Sequence, residues 1–278
     1  MAHRVVRSSP VHWASGWRTL TGTMAMVLAG IWSSSLLAAE PPPGPRFPES
    51  SWSEELKGKL EDGPAILARD LDIPIADPPG PLSPITAREL HYLRQLVGAR
   101  TPAQETLIRA EADDPSLYFL TNFGFDPEDY PATVRLIEAT LHDVGYFILR
   151  EKWRLQRARP IQLDPLLPLV IPTPPHSAYP SGHGGVAWAE ALVLGRLAPQ
   201  YAPAWLRYAQ AIGHRRELAG VHYPSDTRAG QALGAYVVEQ LLQTEEFQAL
   251  MAEAATEWPP ASRSTQPRLR EMSGNLGR

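Results

Sequence analysis

Two histidines, one carboxylate and three cations stand at spacings that suit work on an anion. His222 lies four residues before Asp226, on the approach to a predicted helix. A carboxylate in the first turn of that helix can accept from one imidazole nitrogen and leave the other free as a base or nucleophile. Ser181-Gly182-His183 opens another helix. Serine is an N-cap residue type, glycine lets a group approach the backbone, and the free N–H groups of a helix start favour anions. Lys152 and Arg159 are seven apart, two turns along one line of a predicted helix. Long cations at the edge of a core can reach inward over it. Arg216 shares an apolar helix face with Leu206, Ala209 and Ile212. An inward arginine is costly unless it meets an anion; Arg215 points elsewhere. Each block taken alone also fits a plainer reading: a capped turn, a surface histidine, a solvated basic helix end.

The elements that must position these groups are helical. Thr86-Ala87-Arg88-Glu89 reads as a capping box before Leu90, Leu93, Leu96 and Val97. Thr101-Pro102 starts a second helix with proline at its tolerated first position. The longest helix is predicted from Ala132 to Arg159, with Val134, Ile137, Leu141, Val144 and Ile148 as its buried stripe and Pro160 as its end. After His183 a helix runs to about Leu197, carried by Val186, Ala189, Leu192 and Val193. Another spans Pro203 to Leu218 and stops at Gly220. A final one, capped by Ser225, is carried by Ala229, Leu233, Tyr236, Val237 and Leu241. Phe119, Phe123 and Phe125 read as core. Residues 160–180 hold seven prolines and read as an irregular loop, with His176 and Tyr179 at the rim of the site. Helices therefore dominate the chain after a proline-rich arm. That arm, residues 40–85, is expected to hold one short helix near Glu54 to Leu60 and no functional part.

At 278 residues and 44% hydrophobic content, the chain is of the globular class. A formal net charge of −4 argues against an electrostatic nucleic-acid binder. The absence of cysteine excludes disulfides, thiolate metal sites and a cysteine nucleophile. No dinucleotide fingerprint, phosphate-binding P-loop or paired-histidine zinc helix occurs. Arg4, Arg7 and Arg18 precede an apolar run, Leu20 to Leu37, followed by the small residues Ala38 and Ala39. This is the layout of a secretory signal peptide over 1–39, cleaved near Ala39, with an uncleaved anchor as the alternative. The remaining expectations are a helical domain over 86–256, a disordered polar tail over 257–278, a periplasmic or secreted location and no integral membrane span after cleavage.

Order and spacing add what single blocks lack. Lys152, six residues, Arg159-Pro160; Pro180-Ser181-Gly182-His183; and Arg216, five residues, His222, three residues, Asp226 together resemble the three-block signature of the type 2 phosphatidic acid phosphatase and vanadium haloperoxidase superfamily. The chain looks most similar to its bacterial class A non-specific acid phosphatases. The similarity covers roughly Arg109 to Leu242. It departs where the third block opens Arg215-Arg216 rather than Ser-Arg, and in lacking the cysteines of many secreted relatives. The resemblance implies an all-α bundle and a phosphohistidine mechanism with no metal ion or other cofactor. By it, His222 is the nucleophile, Asp226 orients its ring, and His183 protonates the leaving oxygen and then activates water. Lys152, Arg159 and Arg216 bind the equatorial oxygens, with Ser181 and the N–H groups of Gly182 and His183 completing the cradle. The partner is then a small-molecule phosphate ester, and the pH profile is bell-shaped with a mildly acidic optimum. Three alternatives stand beside this: a lipid or isoprenoid (pyro)phosphate phosphatase, a vanadium-dependent haloperoxidase whose vanadate mimics phosphate, and an inactive anion-binding scaffold. The natural substrate and the oligomeric state, a homo-oligomer included, stay open.

Overall fold

The computed structural model describes residues 44–112 and 118–258. They fall in the second of two units, Pro43–Arg278; the first, Met1–Pro42, lies outside the described residues, as does the expected signal segment. Among the described residues there are ten α-helices and no strand, only a single bridge between Arg46 and Arg157. The helices are α1 (Glu54–Asp62), α2 (Pro84–Gly98), α3 (Pro102–Ala110), α4 (Tyr118–Asn122), α5 (Pro131–Leu155), α6 (Pro160–Leu163), α7 (Gly182–Leu197), α8 (Ala202–Leu218), α9 (Pro224–Leu241) and α10 (Glu245–Ala255). None is long and apolar enough to cross a membrane.

α7 is the axis. Small and apolar residues occupy nearly all its sides, and Gly184, Gly185, Ala187, Ala189, Ala191, Val193 and Leu194 are buried. A helix apolar all round belongs inside, and α5, α8 and α9 pack around this one. Its contact with α9 is backbone against backbone. A Cβ at Gly185 would meet the Gly230 carbonyl oxygen at 2.7 Å, and one at Gly234 would meet the Gly185 oxygen at 2.4 Å. This close crossing sets the start of α9, with Asp226, beside the start of α7. Ser181 N donates to the Asp226 carbonyl at 2.9 Å. Phe119, Phe123 and Phe125 join Trp205 in the core between α4, α7 and α8.

Several helix ends differ from their sequence reading. α2 starts at Pro84, capped by Ser83 Oγ, which accepts from Thr86 N at 3.2 Å; Glu89 is therefore not a capping acid. α5 ends at Leu155, short of Pro160. Gln156 takes the left-handed conformation (φ 47°, ψ 39°), its carbonyl accepts from Phe47 N at 2.9 Å, and its side chain accepts from Trp52 Nε1 at 3.2 Å. The arm ends the helix, so Arg159 does not lie on the helical line of Lys152 but immediately before α6. The 160–180 stretch is irregular apart from α6. Ser225 is inside α9 rather than its cap, and α10, capped by Thr244, follows α9. Glu257 accepts from Ala132 N and Thr133 N at 2.7 and 2.8 Å, which closes the start of α5 and ties the first tail residues to the fold.

Other ends form as local sequence dictates. Thr101 and Gln104 make the reciprocal cap of α3. α8 ends with Gly220 at φ 79°. Gly220 N reaches Glu217 O at 2.9 Å and Val221 N reaches Arg216 O at 3.2 Å, a paired glycine stop that turns the chain toward His222. The arm is held by buried Asp143 of α5, whose carboxylate accepts from the N–H groups of Ala65, Ile66 and Leu67.

Candidate active site

A cavity of about 660 Å³ opens between the ends of α5, α7 and α8. Lys152, His176, Gly182, His183, Arg216 and His222 all line it, and Leu141, Tyr146, Ile148, Leu149, Ile171 and Val186 give it apolar walls. The arm, expected to hold no functional part, supplies Leu56, Lys59 and Asp62 to the same wall. A Cβ at Gly182 would meet nothing within 4 Å, so the cavity reaches the helix backbone there. Ser181 is fully buried and caps α7 by accepting from Gly184 N at 3.3 Å.

The hydrogen bonds of His222 fix its tautomer. Nδ1 stands 3.1 Å from Asp226 Oδ2, and Nε2 stands 3.1 Å from Arg159 Nη1. A guanidinium can only donate, so Nε2 carries the lone pair and the proton sits on Nδ1, donated to the carboxylate. Asp226 Oδ2 also accepts from Tyr223 N at 2.9 Å. Burial, reinforced by Arg159 and Lys152, holds the His222 pKa well below its ordinary value and keeps the ring neutral.

Among the described residues none of the three buried cations has a carboxylate within hydrogen-bond distance. Arg159 donates to the carbonyls of His176 (3.0 Å) and Val221 (2.7 Å) and to His176 Nδ1 (3.0 Å). Lys152 Nζ donates to Ser177 O and Ala178 O at 2.8 and 3.2 Å. Arg216 donates from Nη2 to Ile108 O at 3.2 Å, while its buried Nε and Nη1 have no hydrogen-bond partner among the described residues. Burial lowers all three: Lys152 well below its ordinary pKa, Arg159 and Arg216 to about 10. Both arginines thus stay charged at neutral pH, with charge that nothing in the site fully neutralises. Orphaned buried donors of this kind fit an anion.

His183 Nε2 faces the Glu111 carbonyl at 3.1 Å. A carbonyl only accepts, so the neutral ring keeps its lone pair on Nδ1. Burial, then Arg216, pushes its pKa down to about 3. His176 is also held well below its ordinary value, by burial and then Lys152 and Arg159. Tyr179, expected at the rim, is buried instead, and its hydroxyl donates to the Ala76 carbonyl.

Two arginines next to the expected ones take a different part. Arg215 does not point away: it is buried, with Nε 2.6 Å from Glu111 Oε2 and Nη2 on Oε1. By engaging Glu111 it leaves Arg216 at 3.7 Å from that carboxylate. Arg157, which falls inside the helix predicted from Ala132 to Arg159, instead follows the end of α5 and donates to Asp226 Oδ1, to Ser225 Oγ at 2.7 Å and to Glu89 Oε2 at 3.0 Å. A legible signal existed for Glu89. It falls in the buried stripe Thr86, Glu89, Leu93, Val97 of α2, where an acid demands a partner. Among the described residues no group of three or more His, Cys, Asp or Glu could hold a metal ion.

Residues 134–246 match the PAP2 superfamily. The chain carries a PAP2 superfamily domain. An acid phosphatase of Zymomonas mobilis is 28% identical over 204 residues, 68% of this chain and 76% of that one. A decaprenylphosphoryl-5-phosphoribose phosphatase of Mycobacterium tuberculosis is 39% identical over 83 residues, 30% of this chain and 45% of that one. The share of a curated relative's length that the chain spans varies widely, from 34% to 76% in two acid phosphatases. Among solved structures, a bacterial vanadium-dependent iodoperoxidase superposes with a TM-score of 0.51 over 71% of this chain and 60% of its own. At 19% identity that likeness is one of fold.

Proposed function

We propose that this PAP2 domain is a phosphoric monoester hydrolase of the acid phosphatase kind, exported by its leader, that works through a phosphohistidine on His222 without a metal ion. The observation that carries the reading is the fixed His222 ring: a bare Nε2 beside three under-neutralised cations, with Nδ1–H on Asp226. Phosphoryl transfer needs positioning and charge stabilisation more than covalent help. Lys152, Arg159 and Arg216 supply the charge, and the N–H groups of Gly182 and His183 at the start of α7 supply donors. Nε2 attacks phosphorus, the ester P–O bond breaks, and His183 gives the leaving oxygen its proton; His183 then takes a proton from the water that displaces the enzyme.

The lowered pKa of His183 refines the pH expectation. The free site holds it neutral above about pH 3. An arriving phosphate offsets Arg216 and raises it, so the alkaline limb belongs to the enzyme–substrate complex and appears in kcat. The decisive assay is phosphate release from a panel of monoesters with chelator present, with acid-quenched labelled enzyme. His222→Ala should be inactive and the label should sit on His222; chelator-sensitive turnover or label on a serine refutes the reading.

A second reading concerns the alcohol. The apolar walls beside the cations, Leu141, Leu149, Ile171 and Val186, favour a phosphate whose neighbouring group is apolar, such as a lipid or isoprenoid (pyro)phosphate. Rates that rise with alkyl chain length in the panel support it, and equal rates for sugar and alkyl phosphates defeat it. Added vanadate should inhibit; peroxide-dependent halide oxidation would move the domain to the haloperoxidase side.

A further inference from the structure

A chain of buried groups reaches His222 from outside the family match. Glu89 of α2 precedes residues 134–246, is 7% exposed and lines no part of the cavity. Its Oε1 accepts from Ser225 N at 2.7 Å, and its Oε2 accepts from Ser225 Oγ at 2.8 Å and Arg157 Nη2 at 3.0 Å. Arg157 donates from Nη1 to Ser225 Oγ at 2.7 Å and to Asp226 Oδ1. Its guanidinium carbon lies 4.0 Å from the centroid of the Tyr223 ring, which fixes the plane of the fork. Both oxygens of Asp226 are thereby committed: Oδ1 to Arg157, Oδ2 to His222 Nδ1 and Tyr223 N.

We propose that Glu89 and Arg157 are positioning residues for phosphoryl transfer, locking the Asp226 carboxylate so that His222 keeps its proton on Nδ1 through the whole reaction. The inference rests on His222 being the nucleophile. When Nε2 bonds to phosphorus and the ester P–O bond breaks, the ring carries both the phosphoryl group and the Nδ1 proton and is cationic. Water displaces a cationic imidazole from phosphorus faster than a neutral one, because the cation leaves as neutral histidine. A carboxylate free to take the Nδ1 proton would leave a neutral, slower phosphohistidine. Arg157 opposes that transfer by its charge on Oδ1, and Glu89 holds Arg157 there. Burial opposes the Arg157 charge, but Asp226 and Glu89 outweigh it and hold the guanidinium protonated. The other charged or titratable groups acting on Asp226 and Glu89 are Lys152 of α5, Arg159, Tyr179, Tyr223, His222 and, 3.6 Å from Glu89, Arg228 of α9.

Glu89→Gln removes the charge and keeps the shape; Arg157→Lys keeps a charge and loses the fork. The readouts are kcat and its pH profile, competitive inhibition by inorganic phosphate, the fraction of enzyme carrying labelled phosphate at steady state, and the thermal midpoint. The expected result is a loss of roughly 10–100-fold in kcat, the range for partners that orient a reacting group's ligand. Inorganic phosphate should bind as in the wild type, since Lys152, Arg159 and Arg216 are untouched. Phosphoenzyme should accumulate, and Glu89→Asp should restore part of the rate. Wild-type kcat, phosphoenzyme level and pH profile in a folded variant overturn the proposal even if the thermal midpoint drops, because a merely structural pair would do that. If neither variant folds, imidazole nitrogen NMR of the wild type decides: His222 should hold its proton on Nδ1 from about pH 5 to 9, and a proton on Nε2 overturns the inference. His222→Ala run in parallel separates the two levels. Residual turnover there defeats the nucleophile assignment; an inactive His222→Ala beside an unaffected Glu89→Gln defeats the positioning chain alone.

Discussion

Four arginines fall into two pairs of sequence neighbours, and the members of each pair behave oppositely. Arg215 and Arg157 are buried against carboxylates, Glu111 for one and Glu89 with Asp226 for the other. Arg216 and Arg159 are as deeply buried, yet their hydrogen-bond partners are backbone carbonyls and imidazole nitrogen, and two nitrogens of Arg216 have none among the described residues. A buried arginine matched to a carboxylate completes a structure. One left unmatched keeps its charge for something that arrives. Proximity in sequence says nothing about which is which: helix phase separates 215 from 216, and 157 and 159 both follow the turn at Gln156 yet meet different partners.

The sharpest way to break this contrast is to truncate one of each kind. Arg215→Ala removes the two-pronged partner of the Glu111 carboxylate and should cost about 3–5 kcal/mol of stability in denaturant titration, the range for removing one partner of a buried pair. A cost below about 1 kcal/mol would put Glu111 in contact with water and undo the contrast. Arg216→Ala should lower kcat by about 10²–10³, as for losing one preorganised donor to developing charge, and leave the thermal midpoint unchanged or higher. Equal activity losses in both variants would mean that the pairing does not divide the roles.

A smaller effect should appear in the pH dependence of stability. His183 is held at about 3, and His176 and His222 well below their ordinary value, chiefly by burial. In the unfolded chain all three take up protons near pH 6.5. Between the folded and unfolded values the unfolded state binds more protons, so these groups' contribution is complete above about pH 6.5 and is lost as pH falls below it, for His183 until about 3. Inorganic phosphate, by offsetting the site's cations, should raise the thermal midpoint most at the acid end. A phosphate increment independent of pH would detach the histidines from the cations.

What the sequence made legible was local. The α3 capping box, the Ser181 start of α7 and the Gly220 stop of α8 are each decided by residues within one turn. Individual helices followed from the periodicity, the all-α class from the family that the three motif blocks resemble, and the pairing of His222 with Asp226 from their spacing. The end of α5 was not legible, because its cause is Trp52 and Phe47, about a hundred residues away. Arg157 was lost with it: a helix continuing to Pro160 would have placed it among solvated cations. Arg215 was misplaced because its partner, Glu111, sits beyond α3, and no periodicity in α8 announces a carboxylate arriving from another element. Glu89 was misassigned to a cap by a motif match, although its place in an apolar stripe was visible.

The arm's attachment also bears on how the enzyme comes to exist. Residues 44–75 emerge before the rest of the described chain, yet their anchors come much later: Gln156 follows Trp52 by 104 positions and Asp143 follows Ala65 by 78. Contacts of such separation form slowly, since a long loop must close before they reward it. The wall carrying Leu56 is then the last part of the cavity to assemble. Until it docks, the cavity lacks the side that Leu56, Lys59 and Asp62 supply, and a chain held at that stage is the one most exposed to aggregation or to capture by a chaperone.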